Sequence, residues 1–314
     1  MVDIGLAGEF RIVIENSDNE VIRDYGYQKN LLLDNGIAKY IGGFPSINGY
    51  CVIGTGNSTP IPTQTTLDLP LVVTGSTSGG GSNYTYEDKG DFLYRMWDET
   101  VYIFNGLKDV NISEVGLTHS NSLDDLSTRA LVKDESGNPV SISVKTGEIL
   151  KIYYKLHKVI DVRDKNYVIN MLDGDGGSVA YNCTVRPIMV GNAGHYYIPY
   201  TLKQMNYSYD NILISAGELT EMTAKPTSGT KLSGPSVSLG SASSEGRVIS
   251  FNLGIGDANH DIRTVTVSDS SRIATFTYQI RYGTVDGDNP IYKNSNYQLT
   301  LNFLMNFSRF EGEL

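Results

Sequence analysis

Apolar and polar positions alternate with a period of two along most of this chain, the pattern of half-buried β-strands rather than of helices. In residues 8–15, GEFRIVIE, Phe10, Ile12 and Ile14 alternate with Arg11, Val13 and Glu15. The polar stretch NSDNE (16–20) follows, and Val21 to Tyr27 offers the returning strand. Asn and Asp tolerate left-handed backbone and bond their own main chain, so a hairpin is expected there. Further strands are expected at Tyr50–Ile53, from Asp91 through FLYRMW and TVYIF (100–104), at VNISEVGLTHS (110–120) and at RALVKD (129–134). After the turn ESGNP (135–139), SISVKT and EILKIYYKLHKV read as a hairpin, with Ile149, Lys151, Tyr153 and Lys155 opposing Leu150, Ile152, Tyr154 and Leu156. One stretch departs from this pattern. In NLLLDNGIAKYI (30–41) the leucines, Ile37, Tyr40 and Ile41 fit one helical face, interrupted at Asn35-Gly36.

The second half follows the same grammar. Ser178 to Val190 is strand-like, GHYYIPYTL (194–202) is aromatic, and residues 224–246 form a long Ser/Gly/Pro/Thr segment. RVISFNLGIG, RTVTVS, RIATFTYQIRYG and YQLTLNFLMNFS then read as successive strands. Polarity rises across VIDVRDKN (159–166), which places a boundary between an N-terminal β domain (1–160), with its short helix near 30–41, and a C-terminal β domain (161–314). The expected fold is therefore all-β: two antiparallel β-sandwich or barrel-like domains with at most one or two short helices. Each half has a Gly/Ser-rich loop (74–83 and 226–246) and closes on a long alternating strand, which fits two similar domains; shared all-β composition accounts for the same likeness.

Composition narrows the function classes. Acidic residues outnumber basic ones by 35 to 25, a formal charge of −10, which repels phosphate backbones and disfavours nucleic-acid binding. The opening MVDIGLAGEF has neither a basic segment nor a long apolar run, so no signal peptide is expected. No apolar run reaches the length of a membrane-spanning helix, so no membrane insertion is expected either.

Candidate chemistry is sparse. His119, His157, His195 and His260 are scattered without the local pairing of common zinc sites. His157, between Lys155 and Lys158, reads as a solvated edge residue, and His195 as packing within its aromatic run. Cys51 and Cys183 sit in strand-like runs and read as buried small hydrophobes, with no evident base to hold a thiolate. GTG (54–56) and GIGDAN (254–259) lack the third glycine, the helix and the Lys-Ser/Thr of a phosphate loop, and read as turns. Two acidic turns are better candidates: DGDGG (Asp173, Asp175) and DGDN (Asp286, Asp288, Asn289) could wrap a hard cation such as Ca²⁺. Both lack the closing Glu of a calcium loop, which favours plain turns. The single Trp97 leaves little of a Trp-lined sugar platform, although 21 tyrosines supply stacking surfaces. No catalytic, cofactor-binding or metal-ligating residue is assigned, and no cofactor is expected.

Five segments together carry a resemblance. YQKNLLLDNGI (27–37), CVIGTGNSTPIPTQTTLDLPL (51–71), VNISEVGLTHS (110–120), RALVKDESGNPVSISVKTGEILKIYYKL (129–156) and YQLTLNFLMNFSRF (297–310) span most of the chain, with 161–250 least matched. Their order resembles a family of tailed-bacteriophage virion proteins: tail, fibre and minor structural proteins. The resemblance implies a non-enzymatic, multi-copy component of a virion, made in the host cytoplasm. It would form a ring or trimer of copies and contact other virion proteins. A receptor- or glycan-binding module, with loops such as 84–86 or 195–200 touching a host surface saccharide, is the second reading. A hydrolase of surface polysaccharide is the third; it would need two carboxyl groups facing each other across a groove.

The segment TGSTSGGGSN (74–83) contains only Thr, Gly, Ser and Asn, so ordering it costs entropy with no apolar burial in return. Deleting several of its residues is expected to leave the thermal midpoint nearly unchanged. A large drop in calorimetry would show that the segment is packed.

Overall fold

The computed structural model describes residues 2–41, 47–75, 77, 85–173, 175–188, 212–222, 230–231, 236–243, 246–268 and 277–314. These residues are all-β apart from a single helix. They fall into two compact units: Ile4–Glu87 with Arg95–Ile160 and Phe307–Leu314, and Met1–Asp3 with Asp88–Tyr94 and Asp161–Asn306. His195, the aromatic run 194–202 and most of 74–83 lie outside the described residues.

In the first unit, β1 (Val2–Glu15) and β2 (Val21–Leu32) form the hairpin that alternation suggests. Its turn is held by Asn16, whose side-chain oxygen accepts the N–H groups of Asp18 and Glu20, each at 2.9 Å. Asn19 takes the left-handed conformation, with φ 62°. β2 runs on through Leu31 and Leu32, so two of the three leucines expected to open a helix belong to a strand, and Leu33 lies between strand and helix. The helix, α1, occupies only Asp34–Ile41. Asn35-Gly36 does not interrupt it but lies in its first turn, where Gly36 is buried against the Ser127 carbonyl and any side chain would collide.

The chain continues through β3 (Tyr50–Gly54), β4 (Pro70–Thr74), β5 (Thr85–Asp88), β6 (Leu93–Phe104), β7 (Val110–Ile112) and β8 (Glu114–Thr118). It then forms β9 (Leu126–Leu131), β10 (Ile142–Val144) and β11 (Ile149–Asp161). The sheet runs in the order β5-β6-β11-β1-β2-β9-β8-β3-β4. The expected hairpin of SISVKT with EILKIYYKLHKV does not form: β10 pairs with β7. β11 pairs instead with β1, from Glu15↔Ile149 through Ile4↔Ile160, and with β6 on its other side. That register sets Phe10 opposite Tyr154, Ile12 opposite Ile152 and Ile14 opposite Leu150, all fully buried on one face. Zipping matched apolar rows over a whole strand removes far more surface from water than a short local hairpin would. Under β2, β9, β8 and β3 lies a second core of Leu33, Val52, Leu67 and Leu126. β8 and β9 are buried on both faces, Glu114 and Arg129 included.

The second unit continues with β12 (Lys165–Leu172), β13 (Ser178–Ile188), β14 (Ile212–Ser215), β15 (Thr230–Lys231), β16 (Ser236–Ser243) and β17 (Gly246–Leu253). It ends with β18 (Asp261–Ile262), β19 (Thr264–Ser268), β20 (Thr277–Thr284), β21 (Ile291–Tyr292) and β22 (Leu299–Arg309). Six strands form one sheet, ordered β12-β13-β20-β19-β14-β15. Its core side carries Tyr181, Cys183 and Val185 of β13, with Tyr278, Ile280 and Tyr282 of β20. β16, read from composition as part of a loop segment, is a strand paired antiparallel with β17, which in turn pairs with β22. Ser and Gly do not prevent a strand whose backbone finds a ladder partner.

Candidate functional site

The densest polar arrangement in the first unit grows from three strand ends. β3 ends at Gly54 and leads into Thr55-Gly56-Asn57-Ser58; β8 opens with Glu114; β9 carries Arg129. Arg129 lies opposite Gly116 and Leu131 opposite Glu114, so period two puts both charged side chains on one face. Neither is exposed to solvent. Glu114 Oε2 accepts Arg129 Nη2 at 2.8 Å, Arg129 Nε at 3.1 Å and the Asp68 N–H at 3.2 Å. Its Oε1 accepts the N–H groups of Gly56 at 2.8 Å and Leu69 at 3.0 Å. Side chains at Gly54 or Gly56 would collide with this carboxylate. GTG is thus a backbone cradle for an anion, and the anion is the protein's own Glu114.

The remaining guanidinium donors are also engaged. Arg129 Nη2 lies 2.8 Å from Asp68 Oδ2, and Nη1 donates to Ser58 Oγ at 3.2 Å. Asp68 in turn accepts the Ser58 N–H and hydroxyl, both at 2.8 Å. Burial pushes the Asp68 carboxyl up, but the Ser58 hydrogen bonds and the Arg129 charge outweigh it and hold the group below the usual range. With these partners the cluster fastens loops 54–58 and 67–70 to the sheet. Sequence reading missed Glu114 and Arg129. The available signal was one acid and one base set in otherwise apolar strands, each too costly to bury alone.

The histidines do not converge on a common site. His157 is not the solvated edge residue expected. It is buried, with Nε2 3.0 Å from Glu9 Oε2 and its ring 5.4 Å from Trp97. β11 is covered on both faces from Leu156 to Ile160, which also buries Lys158, 3.3 Å from Asp98. The hydrogen bond from His157 is the main reason the Glu9 carboxyl lies below its ordinary range. Trp97 and Tyr27 both sit under the Lys155 ammonium, at 5.3 and 3.8 Å. His260 Nδ1 lies 2.7 Å from the carbonyl of Asp261, and His119 is half-buried on the Asp125 side of β8. Cys51 and Cys183 are buried free thiols; burial pushes Cys51 well up and Cys183 to about 12, which keeps both protonated near neutrality.

The acidic turns are occupied by protein groups. Asp173 Oδ1 accepts the N–H groups of Asp175 at 3.2 Å and Gly177 at 2.6 Å, closing the β12–β13 turn. Asp288 is held by Arg281 Nη1 at 2.8 Å and by Arg263 Nη1 at 3.3 Å, and Glu218 pairs with the same two guanidiniums. Among the described residues, no three His, Cys, Asp or Glu side chains gather as metal ligands.

Two surface features of the second unit remain open. Tyr292, Tyr297, Leu172, Asp175, Lys293 and Gln298 line a cleft of about 350 Å³ in which both tyrosines are exposed. β12 borders the six-stranded sheet as an edge strand among the described residues, with eight regularly paired residues opposite β13, no bulge and no proline. Its outward face shows Val168, 65% exposed, and Leu172, 85% exposed. Many other tyrosines fill cores, among them Tyr94, Tyr102, Tyr154, Tyr278 and Tyr282.

Compared with protein-family models, with curated proteins and with solved structures, the chain matches none.

The buried cluster makes a sharp stability prediction. Glu114→Gln leaves the buried Arg129 with only the part-exposed Asp68 as counter-charge and sets an amide donor among the N–H groups of Gly56, Asp68 and Leu69, and is expected to cost about 3–5 kcal/mol in urea unfolding. Replacing both partners by leucine is not expected to restore stability, because the N–H groups of Gly56, Asp68 and Leu69 would be buried without an acceptor. Arg163→Gln, which removes a solvent-exposed partner of Asp161, is expected to leave the midpoint unchanged.

Proposed function

We propose that this protein is a structural component of a tailed-bacteriophage tail, collar or fibre-attachment apparatus, acting by symmetric self-assembly and by contact with other virion proteins. The observation that carries this reading is the β12 edge. An edge strand presents outward N–H and C=O groups, and single-chain proteins usually guard such edges with prolines, bulges or charges. β12 has a lysine only at its start and carries Val168 and Leu172 on its open face. Burying two such side chains against another strand is worth about 1.5–3 kcal/mol each, which adds to the backbone hydrogen bonds that a paired strand supplies. The order of the five resembling segments supports the virion assignment. Three of them, 51–71, 110–120 and 129–156, supply the partners of the Glu114–Arg129 cluster. The reading includes no catalytic step, in keeping with protonated buried thiols and with Asp173 and Asp288 engaged by protein donors.

The cleft around Tyr292 and Tyr297 favours one alternative, a module that binds a host surface glycan. Tyrosine faces stack on sugar C–H groups, while Asp175 and Gln298 can exchange hydrogen bonds with hydroxyls.

Sedimentation of the purified chain is expected to show a closed symmetric oligomer. Val168→Lys with Leu172→Lys should convert it to monomer with an unchanged thermal midpoint. A wild-type chain that stays monomeric at every concentration and touches no other protein in intact particles would remove the assembly reading. For the alternative, Tyr292→Ala and Tyr297→Ala should abolish retention on host-surface polysaccharide while leaving the oligomer intact. Equal retention of these variants would exclude the cleft.

A further inference from the structure

The ladder between β12 and β13 fixes which backbone groups of β12 face away from the sheet. Just past the strand, the Asp173 N–H donates to the Gly177 carbonyl at 3.0 Å. The Ala180 carbonyl, on the β13 residue opposite Asn170, is turned to the far side of β13, where it accepts the Val285 N–H at 2.9 Å. In an antiparallel ladder these directions alternate from residue to residue. Tyr167, Ile169 and Met171 therefore bond inward to β13, and the N–H and C=O groups of Asn166, Val168, Asn170 and Leu172 point outward. No strand among the described residues lies on that side. The same four residues carry the exposed side chains of β12, while Tyr167, Ile169 and Met171 are half-buried on the core face.

The sequence of this edge specifies its occupant. A strand pairs antiparallel with a second copy of itself about a two-fold axis, and the pleat requires outer-face residues to meet outer-face residues. The axis must then pass through a residue and not between two. With the axis at Val168, Leu172 meets Asp164 and Met171 meets Lys165. At Ile169, Val168 meets Asn170 and Leu172 meets Asn166; at Met171, Leu172 meets Asn170 and Ile169 meets Asp173. At Asn170 the pattern closes on itself: Val168 meets Leu172 on the outer face, Ile169 meets Met171 on the core face, and Asn170 meets its own copy. That register alone among these sets apolar against apolar on both faces.

Charge favours the same direction. Between Lys165 and Asp173 the strand has no ionisable side chain except the Tyr167 phenol. Antiparallel pairing lays the acidic turn of one copy, with Asp173 and Asp175, beside the start of the other, where Arg163 and Lys165 flank Asp161 of their own chain. A parallel arrangement would set the two acidic turns side by side. We infer that β12 pairs antiparallel with β12 of a second copy of this chain about a two-fold axis at Asn170, with Val168 and Leu172 of one copy against Leu172 and Val168 of the other. This deepens the assembly reading above and rests on it, adding the partner and the register of the contact. The contact is isologous and joins two six-stranded sheets edge to edge.

The test uses the full chain with one cysteine added at an exposed position, followed by mild oxidation. Cys51 and Cys183 are buried, so the unaltered chain is the unlinked control. Residues that meet in this register lie about 5.5 Å apart between Cα atoms, within reach of a disulfide, whereas Val168 lies about 14 Å from Val168 of the other copy. Asn170→Cys is expected to form a linked dimer at least about tenfold faster than Val168→Cys or Leu172→Cys alone. Chains carrying Val168→Cys and chains carrying Leu172→Cys, produced together, are expected to link to each other. Sedimentation before oxidation reads assembly separately. An oligomer in which Asn170→Cys links no faster than the other two variants would overturn this register and leave the assembly reading standing. A chain that is monomeric at every concentration would overturn both. Linkage of Asn170→Cys to a different protein in intact particles, and never to its own copy, would overturn the choice of partner.

Discussion

Taking a carboxylate out of water costs several kcal/mol even after the protein relaxes around it, and Glu114 is fully buried. What offsets that cost is a complete shell of donors: two from Arg129 and one each from the Gly56, Asp68 and Leu69 backbones. The shell dictates much of the neighbouring sequence. Glycine is required at 54 and 56 because the chain passes too close to the carboxylate for a side chain. Ser58 and Asp68 are required to engage the outer face of the guanidinium. The long Gly/Pro/Thr loop between β3 and β4 is thereby tied at both ends to β8 and β9, the strands at the middle of this part of the sheet. A single ion pair converts what composition suggests is a loose connection into a fixed wall.

The β1–β11 ladder applies the same logic on a larger scale. One face matches apolar rows, and the other sets Glu9 beside Lys155 and Ala7 beside His157. On that second face, Lys155 over Tyr27 and Trp97 and His157 against Glu9 place every charge next to a ring or an opposite charge. These charged groups thus hold neighbouring strands together. The same holds in the second unit, where Arg263 and Arg281 share Glu218 and Asp288.

What remains unspent lies at edges and openings. Among the described residues β12 lies at the end of its sheet with Val168 and Leu172 exposed, and the Asn30 carboxamide at the fork of β2, where it leaves β1 for β9, is buried without a hydrogen-bond partner. The exposed Tyr292 and Tyr297 belong to the same category, whereas most buried tyrosines act as bulky core residues whose hydroxyls keep some polarity.

Sequence alone determined the all-β class, the β1–β2 hairpin with its Asn16 turn and the alternating faces of β1 and β11. Each depends on period-two spacing or on residues that bond their own backbone, and both are local properties. It also located the segments that build the Glu114 cluster without revealing that they meet. Tertiary structure decided which strand lies beside which, so β10 pairs with β7 although β11 is its neighbour in the chain. It extended β2 through two of the leucines expected in a helix, and it gave Ser236–Ser243 a ladder partner that composition could not foresee. It buried His157, expected at a solvated edge, and with it Lys158, Glu114 and Arg129. The reason is physical: alternation states which face a side chain takes, but whether that face meets water depends on what distant segments lay across it.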